Sequence, residues 1–258
     1  MTADITSPSN ERIKWLVRLR ERRHRDAEGL FVVEGERLYQ RAIEAGMTPV
    51  ATFLASGAPI ATLGPTFTVE LLALDRASYR QQSEDVIAVF PQIDTRLAAL
   101  DVPTEPLILI AEEVEKPGNL GAMLRTAAAA GADALITVGK AVDPHNPNVV
   151  RSSAGALFEI PLAVTTWDEL SPWLRHRRIR IVCASPFADH VVWEADLTGA
   201  MALVVGAEAR GLSATALSLA QQTVSIPQMS RSVDSLNVSV AAAIVLYEAV
   251  RQRGEATG

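Results

Sequence analysis

A continuous apolar run at residues 107–111, Leu-Ile-Leu-Ile-Ala, restricts the fold of this chain more than any other feature. A strand that is apolar at every position has no face for water, so it must be covered on both sides. Similar short runs recur later, and segments of helical pattern separate them. The runs lie at 134–138, 179–183, 201–205 and 223–226, and the helical segments lie at 120–130, 167–176, 213–219 and 237–253. This alternation predicts a parallel α/β sheet with helices on both faces.

A smaller α/β unit is predicted ahead of that sheet, over residues 5–90. Its expected strands are 30–33, 49–54 and 86–90, and its expected helical segments are 10–25, 36–45, 69–74 and 78–82. Residues 91–106 contain three prolines and resemble a connector. We therefore expect an N-terminal domain at 1–92, a linker at 93–106 and a C-terminal domain at 107–258.

Composition limits the possible classes and partners. With 258 residues, 48% hydrophobic and 21% charged, the chain is neither disordered nor fibrous. The net charge of -6 disfavours indiscriminate binding to polyanions, so a nucleic acid must meet a local basic surface. The single cysteine, Cys183, excludes a disulfide framework, and four dispersed histidines give no metal-ligand spacing. Because no apolar run approaches the roughly 20 residues of a membrane span, we expect a cytoplasmic protein.

A basic surface is available at residues 10–25, where seven cations stand against two carboxylates. We predict that this segment is one helix that contacts nucleic acid, although a solvated basic face explains the same pattern. The candidate contacts are Arg12, Lys14, Arg18, Arg22, Arg23 and Arg25. Further along, Arg151 and Ser152 occupy one turn and suit a phosphate or a ribose, with ordinary helix capping as the alternative.

Parallel sheets place their sites at the carboxyl ends of the strands, so the loops there are informative. After the first strand, Pro117-Gly118 is typical of a turn, Asn119 is a candidate helix N-cap, and Gly131 is expected to close the helix. Arg125 interrupts an otherwise small, apolar helix face. A capped helix whose arginine only reaches solvent explains this segment equally well.

The loop at 206–213 has the glycine spacing of a phosphate-binding loop, but Leu212 stands where that loop needs lysine. Nucleotide hydrolysis is therefore disfavoured. Glu208 either binds ribose hydroxyls or a cation, or is an exposed glutamate in a simple turn. The loop at 227–237 is long and polar, and a cap at Ser235 or Asn237 explains only one of its polar residues.

Three ordered motifs resemble those of the SpoU/TrmH class of SPOUT RNA methyltransferases. They are Asn119-x-Gly121-x-x-x-Arg125-Thr126-Ala127, Gly206-x-Glu208-x-x-Gly211-Leu212-Ser213, and Ile226-Pro227 followed by Ser235-Leu236-Asn237-Val238-Ser239-Val240-Ala241. Residues 150–158 are similar to a further stretch of this class. Residues 5–90 resemble the small substrate-binding domain that many rRNA-directed members carry. The loop at 228–234 departs from the class, whose members usually have a glycine there and are often a residue shorter.

The resemblance implies a C-terminal trefoil knot, S-adenosylmethionine bound in the knotted loops, and a homodimer. It implies cofactor contacts at Val205, Gly206, Ile226, Ser235 and Leu236, and a catalytic face of Asn119, Arg125, Glu208, Ser235 and Asn237. The class is usually given an arginine, here Arg125, as the group that activates the hydroxyl. Since a guanidinium with a pKa above about 12 is a poor base, we expect Arg125 to clamp the adjacent phosphate and polarise the hydroxyl.

The function implied is methyl transfer from S-adenosylmethionine to a ribose 2'-hydroxyl of RNA, with 23S-type ribosomal RNA as the expected substrate and no metal. A transfer RNA substrate is the nearest alternative. A catalytically silent RNA-binding or ribosome-assembly protein on the same fold is a second alternative.

Overall fold

A computed structural model describes residues 4–79, 84–188, 190–208, 210–229 and 235–256. The chain forms two compact units. The first comprises Met1–Ile93 and Asp143–Phe158, and the second comprises Asp94–Val142 and Glu159–Gly258. Residues 143–158 thus pack with the first unit although their neighbours in sequence belong to the second, and nothing in the sequence pattern predicted this exchange.

The described residues contain helices and strands in alternation. The helices are α1 (Glu11–Arg18), α2 (Arg22–Glu28), α3 (Glu36–Glu44), α4 (Leu71–Ala77), α5 (Pro117–Ala129), α6 (Pro147–Ser152), α7 (Trp167–His176), α8 (Ala214–Leu219) and α9 (Val238–Ala256). The strands are β1 (Leu30–Glu34), β2 (Ala51–Ala55), β3 (Thr66–Val69), β4 (Val86–Pro91), β5 (Leu107–Glu112), β6 (Ala134–Val138), β7 (Leu162–Thr165), β8 (Arg180–Ala184), β9 (Met201–Val205) and β10 (Gln222–Val224).

The sheet of the first unit has the strand order β1-β4-β2-β3. β4 is antiparallel to both of its neighbours, whereas β2 and β3 are parallel. The predicted strands at 30–33, 49–54 and 86–90 are confirmed within two residues. The helical prediction for 69–74 is shifted, because Val69 ends β3 and the helix begins at Leu71. Residues 78–79 are not helical, and 80–82 lie outside the described residues.

The basic segment at 10–25 was predicted as one helix, but it forms two. Asn10 caps α1, since its side-chain oxygen accepts a hydrogen bond from the backbone N–H of Arg12 at 2.9 Å. α1 ends at Arg18, and α2 begins at Arg22 after a short turn. The cations of the segment are therefore divided between two helices.

The second unit confirms the predicted parallel sheet. Its strand order is β10-β8-β9-β5-β6-β7, and every pairing is parallel. β5 is central and buried at all six positions, as its unbroken apolar pattern predicts. The edge strand β7 was not predicted, because it has only four residues and Val164 is exposed on it.

Cys183 is buried in β8, as predicted. Burial raises the pKa of its thiol to about 12, and the nearby Glu112 carboxylate adds to this. The thiol is therefore neutral at physiological pH and a poor nucleophile. In the part of the chain that the structure describes, no helix has the length and apolar character needed to span a membrane.

Candidate functional site

The loops at the carboxyl ends of β5, β9 and β10 carry the predicted catalytic residues of the second unit. β5 leads into α5, β9 leads into the loop that contains Glu208, and the chain after β10 leads into α9. Because β5 and β9 are hydrogen-bonded neighbours, their following loops emerge side by side. The sheet therefore brings together segments that are about 90 residues apart in sequence.

Asn119 is not the N-cap of its helix, which corrects the sequence prediction. α5 begins two residues earlier, at Pro117, and Lys116 occupies the cap position without a side-chain hydrogen bond. Proline suits the first position of a helix, where its missing N–H is not needed and its fixed φ is already helical. The side chain of Asn119 is consequently free of capping and faces other groups.

A chain of hydrogen bonds joins three of the predicted catalytic residues. The side-chain amide of Asn119 donates to Oε1 of Glu208. The amide of Asn237 donates to Oδ1 of Asn119 at 3.2 Å. Asn237 also caps α9, because its Oδ1 accepts from the backbone N–H of Ser239 at 2.9 Å and from its hydroxyl at 2.6 Å. The tertiary structure thus assembles Asn119, Glu208 and Asn237 into one polar network.

The loop that carries Glu208 is anchored by a buried carboxylate that sequence reasoning missed. Glu112, only 3% exposed, accepts hydrogen bonds from the backbone N–H of Ser213 at 2.9 Å and from its hydroxyl at 2.6 Å. The indole N–H of Trp167 donates to Glu112 at 2.5 Å. An acidic residue directly after an apolar strand was the available signal for this anchor. Ser213 in turn caps α8, so Glu112 fixes where the loop ends.

Gly206, a predicted cofactor contact, is required by close packing of the same loop. A Cβ atom at this position would lie 2.4 Å from the backbone carbonyl of Gly211 and 2.5 Å from the nitrogen of Leu212. Ala207 and Gly211 exchange backbone hydrogen bonds at 2.8 and 3.1 Å. The loop is therefore a closed turn that presents Glu208 near its tip.

Arg125 does not join the polar network. It is exposed on α5, and no hydrogen bond or ion pair links it to another described residue. Six residues along a helix correspond to about 9 Å of rise and about 120° of rotation, so Arg125 and Asn119 project from different faces. Its guanidinium is left with its full set of donors for an external anion.

A cavity of about 70 Å³ lies at the carboxyl end of β10. Its walls combine apolar groups with a few polar ones, and they are Ala184, Ser185, Pro186, Val224, Ile226, Gln228, Ser235, Leu236 and Ala241. Three of the predicted cofactor contacts, Ile226, Ser235 and Leu236, are among them. Val205 and Gly206 are not, since Val205 is buried within β9. Residues 230–234 of the atypical loop lie outside the described residues.

The basic side chains of α1 and α2 are mostly exposed, but many already have partners. Lys14 pairs with Glu11 at 2.7 Å, Arg22 with Asp26 at 3.2 Å, and Arg23 with Glu21 at 2.8 Å. The guanidinium of Arg12 lies 4.3 Å from the ring centre of Phe67. Arg18 is exposed. Exposed ion pairs of this kind are weak, so these cations remain able to bind phosphates.

Arg25 cannot bind RNA, which corrects the prediction made for it. Its side chain is 1% exposed and forms a buried ion pair with Asp143. One guanidinium nitrogen also donates to the carbonyls of Leu19 and Arg20, at 3.0 and 2.6 Å. The turn between α1 and α2 directs Arg25 into the first unit, where it holds residues 143–158 in place.

Arg151 and Ser152 lie on α6 in the first unit, together with the basic helices. Arg151 is exposed and donates to Oδ1 of Asn148 at 3.1 Å. The hydroxyl of Ser152 donates to the backbone carbonyl of Asn148 at 2.6 Å, a bond within the helix, and Asn146 is the residue that caps α6. No group of three potential metal ligands occurs among the described residues.

Comparison with family models gives two matches that together span most of the chain. Residues 106–247 match the model of the SpoU rRNA Methylase family. Residues 10–103 match the model of an MRM3-like substrate binding domain.

Curated relatives are similar over almost the full length in one case and over about three fifths of the chain in another. The chain is 34% identical to a 23S rRNA (uridine(2479)-2'-O)-methyltransferase of Streptomyces viridochromogenes, covering 96% of this chain and 92% of the relative. It is 40% identical to the 23S rRNA (guanosine-2'-O-)-methyltransferase RlmB of Escherichia coli K12, covering 61% of this chain and 63% of that protein.

Solved structures are similar in fold as well as in sequence. An RNA 2'-O ribose methyltransferase superposes with a TM-score of 0.84 at 39% identity, covering 96% of this chain and 98% of the other. The SpoU methyltransferase AviRb from Streptomyces viridochromogenes, in complex with AdoMet, superposes with a TM-score of 0.88 at 30% identity, covering 94% of this chain and 98% of the other.

Proposed function

The chain belongs to the SpoU rRNA methylase family, and from this premise we propose that it methylates a ribose 2'-hydroxyl of 23S-type ribosomal RNA with S-adenosylmethionine as the methyl donor. The observation that carries the proposal is the Asn119–Glu208–Asn237 network at the carboxyl edge of the sheet. A fold kept only for binding has no need to hold two amides and a carboxylate from three separate segments in mutual contact.

The lining of the cavity of about 70 Å³ suits the adenine end of the proposed cofactor. Val224, Ile226 and Leu236 give apolar surface for an adenine ring, and Ser235 and Gln228 give polar groups at the rim of the same cavity. When S-adenosylmethionine is bound there, the chemistry supplied is an electrophilic methyl group on a sulfonium. The remaining work of the chain is to bind the ribose, orient its hydroxyl and accept or redirect its proton.

The polar network orients a substrate oxygen. Asn119 has two amide hydrogens, of which one is donated to Glu208, so the other is available for a ribose or phosphate oxygen. Glu208 fixes the amide in this orientation because its carboxylate accepts only, and Asn237 fixes it from the carbonyl side. Ser235, two residues before Asn237, contributes a hydroxyl at the edge of the cavity.

Arg125 supplies the positive charge that the reaction needs. A guanidinium remains charged at any physiological pH, so it acts by binding the phosphate next to the target ribose and polarising the hydroxyl. The phosphate is then the nearby group able to take the proton. Arg125 projects from another face of α5 than Asn119, so the RNA backbone must span from one face to the other.

The first unit selects the RNA. It has the exposed cations of α1 and α2 and Arg151 on α6, and its sequence matches a substrate-binding domain. The SPOUT resemblance also supports a homodimer, a C-terminal trefoil knot and action in the cytoplasm. The exposed apolar side chains Val240 and Tyr247 on α9 favour a covered face in a dimer.

The test is methyl transfer from labelled S-adenosylmethionine to unmodified ribosomal and transfer RNA, followed by mapping of the modified position. We expect label on a ribose 2'-oxygen of the large-subunit RNA. In Arg125→Ala we expect turnover at saturating RNA to fall at least about 100-fold, with cofactor affinity unchanged. Label on a base would refute methylation of the ribose. Full turnover by Arg125→Ala would refute the role of Arg125.

The same RNAs and labelled cofactor distinguish the proposal from its two alternatives, a transfer RNA methyltransferase and a catalytically silent RNA-binding protein. Label that appears only on transfer RNA would show that transfer RNA is the substrate. A catalytically silent RNA-binding protein would transfer no label to either RNA, and calorimetry would detect no binding of S-adenosylmethionine.

A further inference from the structure

An open surface depression of about 450 Å³ lies in the first unit. We name it the Tyr79 pocket, and it is lined by Pro8, Arg20, Leu72, Asp75, Arg76 and Tyr79. Its size lies in the range of sites for small ligands. The lining combines an aromatic ring, two guanidinium groups and an apolar side chain that is 71% exposed, Leu72.

The ring of Tyr79 is held in place but accessible. Tyr79 is 40% exposed. Its hydroxyl accepts a hydrogen bond from the side-chain amide of Asn148 at 3.1 Å, and its backbone N–H donates to Oε1 of Glu34 at 2.6 Å. Asn148 in turn accepts from Arg151 at 3.1 Å. An exposed aromatic side chain fixed at both ends loses little conformational entropy when a planar group stacks on it.

Two arginines supply positive charge at the wall of the pocket. Arg20 is oriented by the carbonyls of Ser78 and Arg76, the latter at 2.8 Å, and its Nε is buried without a hydrogen-bond partner among the described residues. Arg76 is exposed, and its guanidinium bonds to no other described residue. Asp75 also lines the pocket, and it is already engaged within the chain.

This combination matches one unpaired nucleotide. A nucleobase stacks on an aromatic ring irrespective of its identity, and a guanidinium binds the flanking phosphate through paired N–H donors. Base-paired RNA does not fit, because its bases are stacked on each other and its deep groove is closed to side chains. A peptide partner is less well matched, since it offers no anion at each backbone repeat for the two arginines.

We propose that the Tyr79 pocket binds one unpaired nucleotide of the RNA substrate, with its base on Tyr79 and its phosphate on Arg76, while Arg20 adds positive charge at the wall. The proposal rests on the RNA-methylating function above and adds Tyr79 and Arg76 to the RNA contacts predicted from the sequence. Tight binding therefore requires that the RNA substrate has an unpaired nucleotide at the position that meets the pocket.

The test uses the full chain and measures the affinity for a short labelled RNA of mixed sequence, single-stranded or annealed to its complement, by fluorescence anisotropy. We expect Tyr79→Ala to weaken binding of the single strand about tenfold, the usual effect of losing one stacked base. Tyr79→Phe retains the ring and is expected to bind within twofold of the wild type. Arg76→Ala is expected to lower the salt dependence of binding by about one phosphate contact.

Arg177→Ala is the matched control, because it removes the same charge from the second unit, where the guanidinium lies 4.5 Å from the ring centre of Trp173. It is expected to bind RNA within twofold of the wild type, and every variant is expected to keep its S-adenosylmethionine affinity, which shows that the chain is folded.

Undiminished RNA affinity in Tyr79→Ala would overturn the assignment. If Tyr79→Ala lost as much affinity for the annealed RNA as for the single strand, stacking of an unpaired base on Tyr79 would be excluded. If Arg177→Ala lost as much RNA affinity as Arg76→Ala, the loss would reflect the change in net charge and not a contact in the pocket. If the wild type transfers methyl groups to ribosomal RNA while Tyr79→Ala binds normally, only the pocket fails. If the wild type neither binds RNA nor transfers methyl groups, the proposed function fails with it.

Discussion

The side-chain amide of Asn119 donates a hydrogen bond to the carboxylate of Glu208, which lies 89 residues later in the chain. Removing the carboxylate should release Asn119 from its orientation. We expect Glu208→Ala to lower kcat about 100-fold, the effect of a small misplacement at a reacting centre. Glu208→Gln, which keeps an acceptor oxygen, should lose about tenfold. Methyl transfer to unmodified ribosomal RNA at saturating RNA measures both.

The control for this change is Glu115→Ala, because Glu115 is an exposed carboxylate whose contact with Arg210 is 3.9 Å long. It should retain kcat within twofold. Calorimetry should give the same S-adenosylmethionine affinity for all three variants. Full turnover by Glu208→Ala would show that the network has no part in the reaction.

Gly206 should not tolerate a side chain. A Cβ atom would lie 2.4 Å from the backbone of Gly211, so the closed loop would have to open. We expect Gly206→Ala to lower the free energy of unfolding by about 1–3 kcal/mol, as overpacking typically does, and to weaken cofactor binding. Denaturant unfolding and calorimetry measure the two effects.

Gly118→Ala is the matched control for that substitution, since a Cβ atom there meets nothing within 4 Å and the residue lies in the first turn of α5. Alanine should stabilise the helix by up to about 1 kcal/mol. Equal stability of Gly206→Ala and the wild type would mean that the loop opens without cost.

The buried ion pair between Arg25 and Asp143 should be essential for the first unit. Arg25→Met leaves the carboxylate of Asp143 buried without its countercharge, which typically costs about 3–5 kcal/mol of the free energy of unfolding. Arg22→Met should cost less than about 1 kcal/mol, because its pair with Asp26 is exposed. Denaturant unfolding of the full chain gives both values.

A double variant tests whether the uncompensated charge of Asp143 causes the loss of stability in Arg25→Met. Adding Asp143→Asn to Arg25→Met removes the uncompensated charge and should recover part of the lost stability. If the double variant is as unstable as the sum of the two single variants, the ion pair is not what holds residues 143–158 to the first unit.

His145 should make the stability of the first unit depend on pH. Burial lowers the pKa of His145 to about 4, although Asp143 opposes this. The neutral ring accepts a hydrogen bond from the backbone N–H of Ile93 at 3.1 Å and packs against Phe31 with ring centres 5.0 Å apart. Below its ordinary pKa the unfolded chain binds a proton that the native state does not, so stability falls as the pH decreases from about 6.5 towards 4.

The expected loss between pH 7 and pH 5 is about 2 kcal/mol from this group. His145→Gln cannot take up the proton, so its free energy of unfolding should decline less over the same interval. Urea unfolding at the two pH values measures the difference. Parallel declines in the wild type and in His145→Gln would exclude His145 as the source.

Local pattern was sufficient for the architecture. The apolar runs that became β5, β6, β8 and β9 have no face for water, and this requires a sheet covered on both sides whatever else the chain does. The short edge strand β7 escaped prediction because it has only four residues and Val164 on it is exposed. The break between α1 and α2 also escaped, since every residue there is compatible with a helix and only the burial of Arg25 requires the turn.

The sequence by itself determined the parallel fold, the family motifs and the candidate residues Asn119, Glu208 and Asn237, because strand periodicity and residue chemistry are local properties. Only the tertiary structure decided which of them touch. It joined these three in one network, separated Arg125 from them by helix geometry, and buried Arg25 against Asp143. It also assembled the Tyr79 pocket from distant residues, since contacts between segments far apart in sequence depend on how the sheets align those segments and leave no periodic trace in the chain.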